Sequence, residues 1–190
     1  MRWIVFIITA CVFVELDHSL MHALRWGDSS VRPVMSSALL AFVALTASRS
    51  IVPWAALILG LLVDLLEPYS QVPDRMVTLI GPNALAYLAA AYVVMQLRTL
   101  VFPRRAMSIG FMAFVAHACS ALVLISIFVI RSRFDSVVYP TRDGALAEFF
   151  HQILVALYSG LVGVPVGWML LKTLPVWGFQ VSMTRMAIRR

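Results

Sequence analysis

Long apolar runs fill this chain, and polar residues fall mainly between them. Six runs stand out: Trp3–Leu16, extending toward Leu24; Pro33–Ala47; Ile51–Leu66; Pro82–Leu97; Ala106–Ile130; and Ala145–Leu171. A membrane-crossing helix needs about 20 mostly apolar residues. The pattern therefore predicts an all-α fold, a polytopic membrane bundle of six transmembrane helices, with residues 1–190 as one integral membrane domain. The second and third runs are separated only by Ser48, Arg49 and Ser50, which predicts a tight helical hairpin. Arg2 ahead of an apolar core resembles the start of a signal peptide. Glu15, Asp17 and His18 follow it, however, and no small-residue cleavage site stands out, so a retained first span is expected.

Two links are long, Glu67–Gly81 and Arg131–Gly144. The apolar patch Met76–Ile80 either dips into the interface or begins the fourth span. Pro82 suits the first turn of a helix, where its missing N–H would be unpaired anyway. Gly81 before it allows a sharp entry. Small residues predict where helices approach closely in lipid. Ala56, Gly60 and Asp64 share one face of the third run. Gly160, Gly163 and Gly167 line the sixth, with a kink expected at Pro165.

Composition strengthens the membrane reading. The chain is 62% hydrophobic and 13% charged, with a mean hydropathy of +0.91; a soluble domain is about half apolar and a quarter charged. Cys11 and Cys119 fall inside apolar runs and are expected to be small buried hydrophobes. No CxxC suggests a redox pair or thiolate metal site.

Charge sets an expected orientation. With the N-terminus in the cytoplasm, nine basic residues lie inside: Arg2, Arg49, Arg98, Arg104, Arg105, Lys172, Arg185, Arg189 and Arg190. Six lie outside: Arg25, Arg32, Arg75, Arg131, Arg133 and Arg142. This excess follows the positive-inside rule. All nine acids fall toward the outer face. The sequence thus predicts a multi-pass protein of the cell inner (cytoplasmic) membrane with both termini cytoplasmic. The net charge of +6 follows from topology, and no basic-aromatic array points to nucleic acid. The basic tail Thr184–Arg190 could rest on anionic lipid or on an acidic partner.

Polar residues within the runs carry the functional question. Asp64 lies about thirteen residues into its helix, about 20 Å along it, in the outer half of a hydrocarbon core about 30 Å thick. Glu15 lies at a comparable depth. Such carboxylates should face protein or water and find partners. Glu15, His18 and His22 share a helix face, predicting a polar cluster near the outer surface. The order E-x-x-H-x-x-x-H lacks the zincin arrangement, so no metal and no cofactor is expected. Glu148 and His151 are spaced for an interfacial hydrogen bond, and His117 for one inside the bundle. No GxSxG elbow occurs, and Ser36, Ser37 and Ser159 have no base beside them in sequence. No enzyme activity is expected.

The order of three segments resembles a known family. Arg32-Pro33 opens the second run, Gly60-x-x-x-Asp64 lies in the third, and Gly81-x-Asn83-Ala84-Leu85 opens the fourth. This set is similar to the rod shape-determining protein MreD family, over roughly residues 32–98. The link after Asp64 is longer than is usual there and lacks a glycine. The resemblance implies a non-enzymatic scaffold that binds MreC, a single-span protein. It further implies RodA, a class B penicillin-binding protein and MreB as more distant partners, cell-wall elongation and cell shape as the output, and a fold similar to the substrate-binding subunits of energy-coupling-factor transporters. Asp64 would then brace backbone groups where Gly81, Pro82 and Asn83 meet the third helix. The alternative expectation is a small-solute-binding subunit of such a transporter, with Glu15, His18 and Asp64 gripping the solute.

Overall fold

A computed structural model describes residues 1–19, 24, 31–66, 69–72, 75–77, 79–102, 105–131 and 145–178. The chain forms a helical bundle: α1 (Trp3–Ser19), α2 (Met35–Thr46), α3 (Val52–Leu66), α4 (Pro82–Leu97), α5 (Ala106–Arg131), α6 (Ala145–Lys172) and the short α7 (Leu174–Trp177). Between α3 and α4 lies a small antiparallel pair, β1 (Tyr69–Val72) and β2 (Arg75–Val77), with Tyr69 opposite Val77. The segment Met76–Ile80 thus begins in a strand, and α4 starts at Pro82, in its first turn as the missing N–H favours.

The helices run alternately up and down, as contacts at their ends show. The C-terminal end of α1 meets the start of α2 through Asp17 and the end of α3 through His18. Asp64 near the end of α3 meets the start of α4. At the opposite end Arg98, just past α4, donates from Nη1 to the Ala47 carbonyl at 2.8 Å. The N–H of Arg2 there donates to the Trp177 carbonyl at 2.8 Å. Burial, followed by the charge of Arg49, lowers the Arg98 pKa from its ordinary value.

At the centre stands α2. Every residue from Ser36 to Leu45 is buried, and α1, α3, α4, α5 and α6 all pack on it. A helix apolar on all sides can be stable only when enclosed like this or immersed in lipid. It starts two residues after Pro33, because Val31–Val34 approaches in a non-helical conformation. Although the link to α3 is short, α3 packs most extensively on α4, and the hairpin expected of the second and third runs is a minor contact.

Glycines set the closest approaches. A Cβ on Gly60 would lie 2.5 Å from the Ala84 Cα and 2.6 Å from the Asn83 carbonyl oxygen, so α3 and α4 touch backbone to backbone. Gly160, Gly163 and Gly167 of α6 line the seam with α5, against Phe114, Ala113 and Ile109. The helix α6 continues through Pro165.

Both α5 (26 residues) and α6 (28 residues) are long and apolar enough to cross a membrane. The apolar helices α2, α3 and α4 are shorter, at 12, 15 and 16 residues.

Candidate functional site: two aspartates that hold helix starts

The first turn of any helix leaves up to four backbone N–H groups without an intrahelical partner. A residue at the N-cap with a side-chain oxygen ordinarily answers one of them. Neither α2 nor α4 has such a residue, since Val34 and Gly81 occupy those positions. Their N–H groups are answered instead by carboxylates on other helices.

Asp64 is 0% exposed. Its Oδ2 accepts from the N–H of Gly81 at 2.8 Å and of Ala84 at 3.3 Å. Its Oδ1 accepts from the N–H of Asn83 and from Asn83 Nδ2, both at 3.0 Å. Pro82 has no N–H, and Leu85 bonds normally to the Gly81 carbonyl at 3.0 Å. Every donor at the start of α4 is therefore satisfied, all but the proline position by one carboxylate. The positive end of the helix dipole favours a negative group there. All four acceptor sites of the carboxylate are filled by protein, which leaves Asp64 none for a solute or metal.

Gly81 holds φ at +124°, a conformation that costs a side-chain-bearing residue about 1–3 kcal/mol. Gly81→Ala is expected to lose about 2 kcal/mol on backbone strain alone, since open space surrounds the position. Chemical unfolding in detergent checks this; an unchanged midpoint would show that the turn relaxes.

Asp17 repeats the device one hairpin earlier. It is 8% exposed. Its Oδ1 accepts from Met35 N–H, and its Oδ2 accepts from Ser36 N–H at 2.9 Å. The Ser159 hydroxyl of α6 completes the start of α2, accepting from Val34 N–H at 2.8 Å and donating to the Val155 carbonyl at 2.7 Å. Ser36 joins α2 to α4 through a 2.7 Å bond with the Tyr87 hydroxyl. Asp17→Ala leaves one buried and one half-buried donor unanswered and is expected to cost about 3 kcal/mol. Reversible unfolding of the variant, read by tryptophan fluorescence, measures the loss.

His18 bonds through Nε2 to the carbonyl of Leu66, the last residue of α3. A carbonyl only accepts, so Nε2 carries the hydrogen. Glu15 faces outward and is exposed. Glu15, His18 and Asp64 therefore do not converge on a common space. The three side chains have different surroundings: Glu15 is exposed, His18 bonds at the end of α3 and Asp64 bonds at the start of α4. His22 lies outside the described residues. Arg32 and Pro33 lie in the segment that leads into α2.

A further polar chain links α5 and α6. His117 Nε2 donates to Gln152 Oε1 at 3.2 Å, and Gln152 Nε2 donates to Glu148 Oε1 at 2.8 Å. Glu148 lies 3.9 Å from His151 Nδ1. The sequence singles out the histidines and Glu148 but not Gln152, which bonds to His117 of α5 as well as to Glu148 of its own helix, nor Asp17, whose partners lie on another helix. Among the described residues, no three His, Cys, Asp or Glu side chains gather as metal ligands would.

The class these observations define is a helical bundle with membrane-length helices, braced by buried carboxylates at helix starts. No family model, no curated protein and no solved structure matches this chain.

Proposed function

We propose that this protein is a non-enzymatic membrane scaffold of the MreD kind, which binds an MreC-like single-span partner and supports cell-wall elongation and cell shape. One observation carries the reading. Five of the residues on which the resemblance rests, Gly60, Asp64, Gly81, Asn83 and Ala84, form one spatial unit, while Arg32 and Pro33 lie apart from it in the segment before α2. Gly60 brings α3 against the backbone of α4, and Asp64 then reaches the donors at the start of α4. A rigid junction of this kind suits a surface that another protein must recognise, because preorganisation lowers the cost of binding.

A six-span, multi-pass placement in the cytoplasmic membrane is supported by charge. Of the described basic residues, Arg2, Arg49, Arg98, Arg105 and Lys172 lie toward the end where Arg2 meets Trp177, and Arg32 and Arg131 lie toward the other, with Glu15, Asp17, Asp64 and Glu148. That segregation fits cytoplasmic termini. Large apolar side chains such as Ile4, Trp54, Leu100, Phe111 and Leu161 are exposed around the bundle, as lipid contact requires. The short α2 suits such a placement because protein surrounds it, so its ends need no lipid-facing backbone.

Co-expression with a single-span MreC-like protein and purification of the pair tests the function. The complex should survive purification, and Asp64→Asn should weaken it. An Asp64→Asn chain that folds like the parent and binds MreC as tightly removes the junction from the binding mechanism. A large, saturable thermal shift with a vitamin would instead favour a transporter subunit.

A further inference from the structure

The helix α1 packs on α2, α3 and α7, and its buried stripe is Phe6, Ala10, Val14 and Asp17. The opposite stripe is Ile4, Ile8, Cys11 and Glu15, spaced by four, three and four residues and so aligned on one face. Ile4 is 75% exposed and Ile8 60% exposed. Cys11, expected to be buried, is exposed for the same reason. The outward face is thus bulkier and as apolar as the inward one, apart from a single carboxylate.

That carboxylate differs from the other described acids. Asp17, Asp64 and Glu148 each accept hydrogen bonds from protein donors. The Glu15 side chain accepts none among the described residues; only its backbone carbonyl does, from the Ser19 hydroxyl. With Trp3 at the inner boundary, Glu15 lies about 18 Å along the helix, about 10 Å short of the outer edge of the hydrocarbon. Acidic residues at such depth face protein or water and are paired.

We propose that this stripe of α1 docks one transmembrane helix of another protein, which presents a Lys, Arg or amide donor at the depth of Glu15. The proposal rests on the membrane placement above but not on the family reading. Charge complementarity selects the occupant. A second copy in the same bilayer has the same orientation, so a two-fold pair through this stripe would set Glu15 against Glu15, and the stripe offers no cation in return. A lipid headgroup lies about 10 Å farther out, beyond the reach of a glutamate side chain. The small Cys11, between Ile8 and Glu15, leaves a notch where a partner helix can approach closely.

The test uses the full chain, donor-labelled and reconstituted in phosphatidylcholine vesicles, with acceptor-labelled Leu/Ala helical peptides. One peptide carries a single Lys at the depth of Glu15 and the other carries Leu there. The Lys peptide should associate about tenfold more tightly, as a membrane-embedded polar contact allows. Glu15→Leu should abolish the difference, and Glu15→Gln should keep part of it. Both positions are exposed, so the variants should fold as the parent does. Equal association of the two peptides overturns the proposal, as does a difference that persists in Glu15→Leu. Energy transfer between two labelled copies without peptide, lost in Ile8→Trp, would assign the face to self-association and also overturn it. A chain released from vesicles by alkaline carbonate would overturn the membrane placement itself; a retained chain that does not discriminate sinks the docking alone.

Discussion

Replacing Asp64 by alanine is expected to destabilise the protein by about 4 kcal/mol, within the range for stripping a partner from a buried charged network. The substitution leaves the N–H groups of Gly81, Asn83 and Ala84, and the Asn83 amide, without their acceptor. Each buried donor left unanswered costs about 1–3 kcal/mol, and the helix dipole loses its countercharge. Water could answer some donors if α3 and α4 part, so the losses do not simply add. Asp64→Asn is expected to cost about 2 kcal/mol. Its amide keeps one oxygen but turns an NH2 group toward N–H donors. Reversible unfolding in mixed micelles measures both. A loss under about 0.5 kcal/mol for the alanine variant, the range of an ordinary surface change, would mean the donors have other partners.

Gly60→Val is expected to abolish the native packing of α3 on α4, and Gly60→Ala to cost about 3 kcal/mol, at the upper end for overpacking. The reason is what the new Cβ meets. Ala84 Cα lies at 2.5 Å, the Asn83 carbonyl oxygen at 2.6 Å and Ala84 N at 2.8 Å. These are backbone atoms, so no rotamer change relieves the contact and the helices must separate. Separation draws Asp64 away from the start of α4. The two changes should therefore couple: once Gly60→Ala is present, adding Asp64→Ala should cost less than it does alone. Full additivity would show that the close approach and the carboxylate act independently.

Much of the helical layout was legible from apolar run length. The fourth run matches α4, from Pro82 to Leu97, because a proline fixes its start. The second run began two residues early, since Pro33 precedes α2 and its start is fixed by Asp17 and Ser159 from other helices. No local signal encodes that. The meeting of Asp64 and Asn83 could be read from their shared depth on consecutive antiparallel helices. The role of Asp17 could not. In α1 both faces are apolar, so periodicity gave no inward direction, and the face shared with His18 pointed to Glu15 and not to Asp17. Two residues along a helix amount to about 200° of turn, which puts one against α2 and the other outside. The same spacing between an acid and a later helix start, 17 to 36 and 64 to 83, is the signal that could have paired them.

Asp64 is a structural brace whose oxygens hold the start of α4. Amide hydrogen exchange at Gly81, Asn83 and Ala84, in the reconstituted parent and in Asp64→Asn, tests this role. These amides have no helical acceptor of their own, so slow exchange in the parent and at least about tenfold faster exchange in the variant are the predicted result, with the α5–α6 seam unchanged. Rapid exchange in both proteins, or equal protection in both, would contradict it.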